Sequence, residues 1–247
     1  MTEQPTSPAK RNCDGQPSLA PATCSASRPK ALDLYCCAGG AAVGLHNAGY
    51  EVTGVDIEPQ PHYPFKFQLG NALDADLTGY DFVWASPPCQ AHSTLKHRTG
   101  KTYECFIART REKLKAWGGA YIIENVIGAP LENPVMLCGS AFGLNVRRHR
   151  IFESNIFLTG TDCQHWKQPE PLDVSGTGAR RLGARLDGKG GNSRKPRNLK
   201  EAQDAMGMAW TDRKHLSQAI PPAFAEYLAR QILRVTARPN DKLSHGE

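Results

Sequence analysis

The sequence predicts an α/β fold built on a doubly wound, mostly parallel sheet. Three observations carry this. Short apolar runs rich in β-formers alternate with helix-period segments. A glycine-rich turn, CAGG (37–40), follows the first run and opens a helical pattern. Several runs end in residues able to do chemistry, and in open α/β sheets ligands bind at the carboxyl ends of the strands.

The elements follow in chain order. ALDLYC (31–36) reads as a strand, and the helical pattern behind its glycines runs to about Ala48. EVTGVDI (51–57) is a second strand, and DFVWAS (81–86) a third. Pro87 and Pro88 stop the third, because proline lacks an amide donor and fixes φ. A helix is expected around 104–117, then the buried strand AYIIEN (120–125), then further strand in RIFESNIFL (150–158). Residues 159–196 show no clear periodicity and no internal repeat is visible. PPAFAEYLARQILRV (221–235) reads as an amphipathic helix, with Pro222 near its start and Phe224, Leu228, Ile232 and Val235 along one face.

At 247 residues, 40% hydrophobic and 22% charged, the chain has the composition of an ordinary soluble globule of one large domain, or one plus a small one. No apolar run approaches the roughly 18 residues of a membrane span. The first 29 residues hold five prolines and no apolar core, so a disordered tail without a signal peptide is expected. None of the eight cysteines forms a CxxC pair, which argues for reduced intracellular thiols over a zinc ribbon or a disulfide scaffold. Cys163-Gln164-His165 offers two candidate ligands without a partner pair, so no metal site is expected.

The net charge of +6 is localised. Residues 176–200 carry eight Lys/Arg against Asp187 alone, with six glycines among them. A basic, glycine-rich segment suits a phosphate backbone; the alternative is a solvated loop without a partner.

Five groups of residues could carry chemistry. Cys89 sits on the stiff turn of SPPCQ (86–90), as a nucleophile or as a buried thiol. DLYCCAGG (33–40) could bring backbone amides close to a ligand, or serve tight packing. About 20 residues on, Asp56 could accept both hydroxyls of a ribose, and Gly70-Asn71 could approach an adenine edge. Glu124, after YII, is costly to bury unless used or paired, and could also be an ordinary helix-start acid. The run Arg147-Arg148-His149-Arg150 could hold a phosphate or a base carbonyl, or be a surface charge cluster.

In these motifs the chain resembles the cytosine-C5 DNA methyltransferases, of the small orphan type often found in phages. The resemblance covers about residues 30–155 and 197–235. DLYCCAGG is similar to the family's DLFxGxGG, SPPCQ is its nucleophile motif, and ENV (124–126) its third signature. Arg148-x-Arg150 matches QxRxR, NLKEAQDAMGM (198–208) resembles the motif before the last, and LSQAIPPAFAEYL (216–228) the closing GNAVPP helix. The departures are Cys37 for the first glycine, Val146 for the usual Gln, Asn71 for a common Asp, and Ser217-Gln218 for Gly-Asn.

The resemblance implies a Rossmann-like class I methyltransferase fold with a short target-recognition insertion. The expected organisation is a tail (1–29), a catalytic domain (30–154), a short basic recognition segment (155–196), returning C-terminal motifs (197–236) and a flexible tail (237–247). S-adenosylmethionine would be held by Asp33, Tyr35, Gly39, Gly40, Asp56, Ile57, Asn71, Pro87 and Gln218. Cys89 would attack C6 of a cytosine flipped from double-stranded DNA. Glu124 would protonate N3, Arg150 would hold the O2 side, and Arg148 would support the nucleophile's surroundings. Lys96, Arg98 and Lys101, in a loop closing over the DNA, and Arg180, Arg181 and Arg185 would meet phosphates.

So short a recognition segment implies a short site or weak sequence preference. A monomer is expected, away from membranes, in the cytoplasm of a bacterial or phage-infected cell, at the nucleoid. Genome protection in a restriction–modification setting is one role consistent with this. RNA stays open as a substrate, because a branch of the family acts on tRNA. A nucleic-acid-binding protein with a vestigial pocket is the non-enzymatic alternative.

Overall fold

In the computed structural model, residues 27–88, 104–174 and 193–236 are described. Seven strands form one sheet: β1 (Lys30–Leu34), β2 (Glu51–Asp56), β3 (Lys66–Leu69), β4 (Phe82–Ala85), β5 (Ala120–Asn125), β6 (Val135–Leu137) and β7 (Arg150–Ser154). Their order is β3-β2-β1-β4-β5-β7-β6, with every pairing parallel except those of β7. The chain winds outward from β1 through β2 to β3, then restarts on the other side at β4. The switch point therefore lies between β1 and β4, where an open α/β sheet leaves a crevice at its carboxyl edge.

Burial explains the order. All of β4 and β5 is buried, as central strands covered on both faces must be, whereas β3 is largely exposed and forms an edge. One sheet face presents Ala31, Phe82, Trp84, Ile122 and Phe152 to the helices α1 (Gly40–Ala48) and α5 (Pro222–Thr236). The other presents Leu32, Leu34, Val83, Ala85 and Ile123 to Leu114 of helix α2 (Ile107–Trp117). Helix α3 (Leu199–Met206) and the short helix α4 (Arg213–Gln218) join Val146, Leu172 and Val174 in a third cluster.

Two glycines of α1 are required by packing. A Cβ on Gly40 would lie 2.1 Å from the Ile220 carbonyl oxygen, and one on Gly44 would lie 2.2 Å from that of Pro222. The closing motif therefore seats itself directly on the helix that follows the glycine turn.

The sheet differs from the sequence reading in three places. The strand expected over 150–158 ends at Ser154, whose hydroxyl donates to the Tyr121 carbonyl and accepts from the Ile156 amide, turning the chain away. The apolar face of α5 ends at Ile232; Val235 is exposed. Strands β3 and β6 were not anticipated: the first is a polar edge, the second only three residues long. No helix among the described residues is long and apolar enough to cross a membrane.

Candidate active site at the carboxyl edge of the sheet

β1 delivers Asp33 and the turn Tyr35–Gly39 to the crevice. Asp33 is fully buried, and neither carboxylate oxygen closes a hydrogen bond of ordinary geometry. The Tyr63 hydroxyl lies beside it, likewise without such a bond. Burial, then the charge of Asp56, pushes the Asp33 carboxyl well above the usual range.

The turn itself is held by Asp56, at the end of β2. Its carboxylate accepts from the Cys37 amide at 2.9 Å and from the Glu58 amide at 3.0 Å. Cys37 has φ +46, the left-handed region that glycine adopts freely and a side chain resists. Burial keeps both adjacent thiols protonated, raising Cys37 to about 11 and Cys36 further, so neither is an activated nucleophile. The Tyr35 hydroxyl is engaged with Thr110 of α2 at 2.9 Å. Gly39 has φ +78, and a Cβ there would strike Pro64 and Tyr63 at 2.8–2.9 Å.

Beside Asp56, Ile57 is 72% exposed, and Leu69 at the end of β3 is 63% exposed. Two bare apolar side chains at one sheet edge offer a platform for a flat ring. Asn71 is less free than the sequence suggests: its side chain donates to Asp74 at 2.9 Å and accepts from the Leu73 amide at 3.1 Å, closing a local turn. A hollow of about 170 Å³ lined by Lys30, Glu51 and Lys66 opens at the opposite ends of the strands, away from these groups.

On the other side of the switch point, β4 ends at Ala85 and is followed by Ser86 and the buried Pro87. Cys89, two residues on, lies outside the described residues, as do Lys96, Arg98, Lys101, Arg180, Arg181 and Arg185. The turn that leads to Cys89 is anchored by a residue to which the sequence reading gave no role. Asn125, 1% exposed, donates from its amide to the Pro87 carbonyl at 2.9 Å. ENV therefore couples the strand carrying Glu124 to Pro87, two residues before Cys89 in the sequence.

Glu124 is buried, and Arg150 Nε lies 3.0 Å from its Oε1. Burial raises the Glu124 carboxyl, outweighing the lowering by Arg150 and Arg148. Such a carboxyl holds a proton more readily than an exposed one, which a group that must protonate a ring nitrogen requires. Arg150 also donates to the His149 carbonyl at 2.9 Å. Arg148 has φ +26, and its guanidinium donates to the Ser217 carbonyl at 2.7 Å, tying the arginine motif to the closing motif. Gln218, exposed at the end of α4, is the next residue. Trp210, for which the sequence held no signal, donates from its indole to the Ala38 carbonyl at 2.8 Å and fastens the C-terminal segment to the glycine turn.

The structure thus gathers Asp33, Tyr35, Gly39, Gly40, Asp56 and Ile57 on one side of the crevice and Pro87, Glu124, Arg148 and Arg150 on the other. Asn71 follows directly on the same edge: the amide of Gly70, the residue before it, donates to the Asp56 carbonyl at 2.9 Å.

No family model matches the sequence, and no curated protein matches it. Among solved structures, the chain is similar to a candidate DNA modification methyltransferase encoded within an E. coli prophage, at 12% identity and TM-score 0.57, covering 85% of this chain and 100% of that one. It is similar to S. pombe Dnmt2 methyltransferase at 13% identity and TM-score 0.55, with coverage of 85% and 100%. It is also similar to the Entamoeba histolytica methyltransferase EhMeth, at 11% identity and TM-score 0.52, with coverage of 89% and 100%. At these identities the likeness is one of fold: the seven-stranded, mostly parallel sheet is shared with these methyltransferase structures.

Proposed function

We propose that the chain methylates C5 of a cytosine held out of a DNA duplex, using S-adenosylmethionine and a covalent bond from Cys89 to C6. The single observation that carries this is the buried Glu124, with Arg150 on its carboxylate and Asn125, the next residue, fastened to the turn that leads to Cys89. A protonatable carboxyl and a thiol nucleophile are the pair needed to attack an electron-poor ring, and Asn125 ties the strand of the first to the segment that precedes the second.

The residues present fit the cofactor. Asp33 is a buried carboxyl without an ordinary partner, suited to a cationic group, and it sits at the glycine turn. Asp56 uses one hydrogen bond per oxygen and keeps lone pairs for ribose hydroxyls. Ile57 and Leu69 offer apolar faces to an adenine. When bound, S-adenosylmethionine supplies the electrophilic methyl that a nucleophilic C5 takes up.

The chain's own groups make C5 nucleophilic. The Cys89 thiolate forms the S–C6 bond as the C5=C6 electrons shift toward C5 and N3 takes a proton from Glu124. Arg150 leaves or shares Glu124 to meet the O2 side of the base. After methylation the C5 proton departs to solvent, the S–C6 bond breaks to return the thiolate, and N3 gives its proton back to Glu124. The ring carbons are out of reach inside a stacked duplex, hence the flipped base. The fold shared with a candidate DNA modification methyltransferase and the basic stretch at 176–200 support DNA as the substrate.

Transfer of a labelled methyl group to mixed-sequence DNA and to RNA, with wild type and Glu124→Gln, tests the reading. Label is expected on DNA cytosine C5, with Glu124→Gln slower by about 10²–10⁴-fold. Label on RNA alone would move the substrate. No label and no S-adenosylmethionine binding by calorimetry would favour a binding protein.

A further inference from the structure

A cluster of side chains on the far flank of the sheet takes no part in this chemistry. Cys138 follows β6, His149 precedes β7, and Cys163 and His165 lie beyond β7 on the turn that enters the helical turn His165–Lys167. Their four donor atoms all lie within 4.8 Å of one another. Nε2 of His165 is 3.3 Å from Cys138 Sγ, Nε2 of His149 is 3.2 Å from Cys163 Sγ, and the two Nε2 atoms are 3.2 Å apart. The sequence showed two candidate ligands and no partner pair; folding of the β6–β7 hairpin brings Cys138 and His149 to them.

Hydrogen bonding among the four is a poor account of this geometry. Each Nε2 has one in-plane direction, either a proton or a lone pair, yet each faces a sulfur and another Nε2 at once. One ion between them serves all four donors. A tetrahedral Zn²⁺ with Zn–S of about 2.3 Å and Zn–N of about 2.0–2.1 Å sets its ligand atoms about 3.3–3.8 Å apart. Support for the ligands is present too. Ser140 Oγ lies 3.0 Å from Cys138 Sγ and accepts from the Gln164 amide at 2.9 Å, joining the two ligand turns.

We infer that Cys138, His149, Cys163 and His165 form a structural Zn²⁺ site that pins the start of the 155–196 segment to the β6–β7 hairpin. Binding exchanges two thiol protons for one ion, and the Cys138 thiol gives up its bond to the Arg147 carbonyl. Two thiolates and two imidazoles with no open position favour zinc in a closed, non-catalytic role. His149 stands between Arg148 and Arg150, so the ion also steadies the loop that carries both arginines. The inference does not depend on the methyltransferase reading.

The test uses the full chain, purified reduced and without chelator. Elemental analysis is expected to find stoichiometric zinc, and Co²⁺ exchange to give the visible bands of a tetrahedral thiolate site. Cys163→Ser and His165→Ala, both on the turn outside the sheet, should each lower zinc content at least about tenfold with an unchanged far-UV spectrum. Cys24→Ser, in the N-terminal segment, should retain the metal. A reduced, folded wild type that holds no zinc and takes up no Co²⁺ would overturn the proposal. So would zinc retained by both ligand variants, or a Cys138–Cys163 disulfide in metal-free protein.

Discussion

Asp33 shows how a single residue can serve binding at a cost in stability. It is buried without an ordinary hydrogen bond, and burial and Asp56 raise its pKa. The folded chain therefore binds this proton more tightly than the unfolded chain. Stability is fullest below the ordinary carboxylate range, starts to fall as pH rises through it, and has lost the full contribution above the raised folded value. Asp33→Asn removes that slope. Urea unfolding at pH 5 and pH 8 should show the variant more stable at pH 8 by about 1 kcal/mol or more, and its S-adenosylmethionine binding weaker. An unchanged pH dependence would sever the residue from this role. Glu124 is raised for the same first reason, burial, but it has Arg150 as a partner and a proton to deliver.

Among the elements, β5 is the hub. Its Asn125 reaches across to Pro87, so Asn125→Ala leaves a buried carbonyl unpaired and loosens the turn before Cys89. Unfolding should show a loss of about 1–3 kcal/mol, with turnover falling more than substrate binding. On the next strand, Glu153 is 2% exposed and bonded bidentately to Arg111 of α2, both contacts at 2.7 Å. Removing Glu153 leaves Arg111 with Glu132 at 3.4 Å and the Pro130 carbonyl at 2.8 Å, so Glu153→Ala should cost about 1–3 kcal/mol in urea melts while a Glu153→Ala, Arg111→Met double variant recovers part of it.

The same elements explain what was legible beforehand. β1, β2, β4 and β5 were visible because central parallel strands are buried on both faces and read as unbroken apolar runs. KFQL of β3 shows no such run, because an edge strand need not be apolar, and VML of β6 is too short to stand out. Asp33, Asp56 and Glu124 were readable from their places at strand ends. Asn125, Trp210 and Tyr63 were not, since their parts depend on what lies across the crevice. The Cys–His cluster was invisible for the same reason: its ligands span 138–165 and meet only through an antiparallel pairing.

At the scale of the whole molecule, the net charge is concentrated in one stretch of the sequence. The basic stretch carries more than the whole net charge, +7 against +6 for the chain, and its described flanks are pinned together. Leu172 bridges to Arg194, and Arg194 pairs with Glu170 and Glu201. If the arginines between those flanks meet phosphates, replacing Arg180, Arg181 and Arg185 by Ala should flatten the salt dependence of DNA binding by about 2–3 in the log–log slope. An unchanged slope would make the stretch a solvated loop. The most direct measurement is covalent trapping on a duplex carrying 5-fluorocytosine in mixed sequence. Fluorine at C5 blocks the last elimination, so the S–C6 bond persists through a denaturing gel. The account predicts a shifted band that needs S-adenosylmethionine and disappears in Cys89→Ala. A band that survives Cys89→Ala, or no band from folded, cofactor-bound wild type, would contradict it.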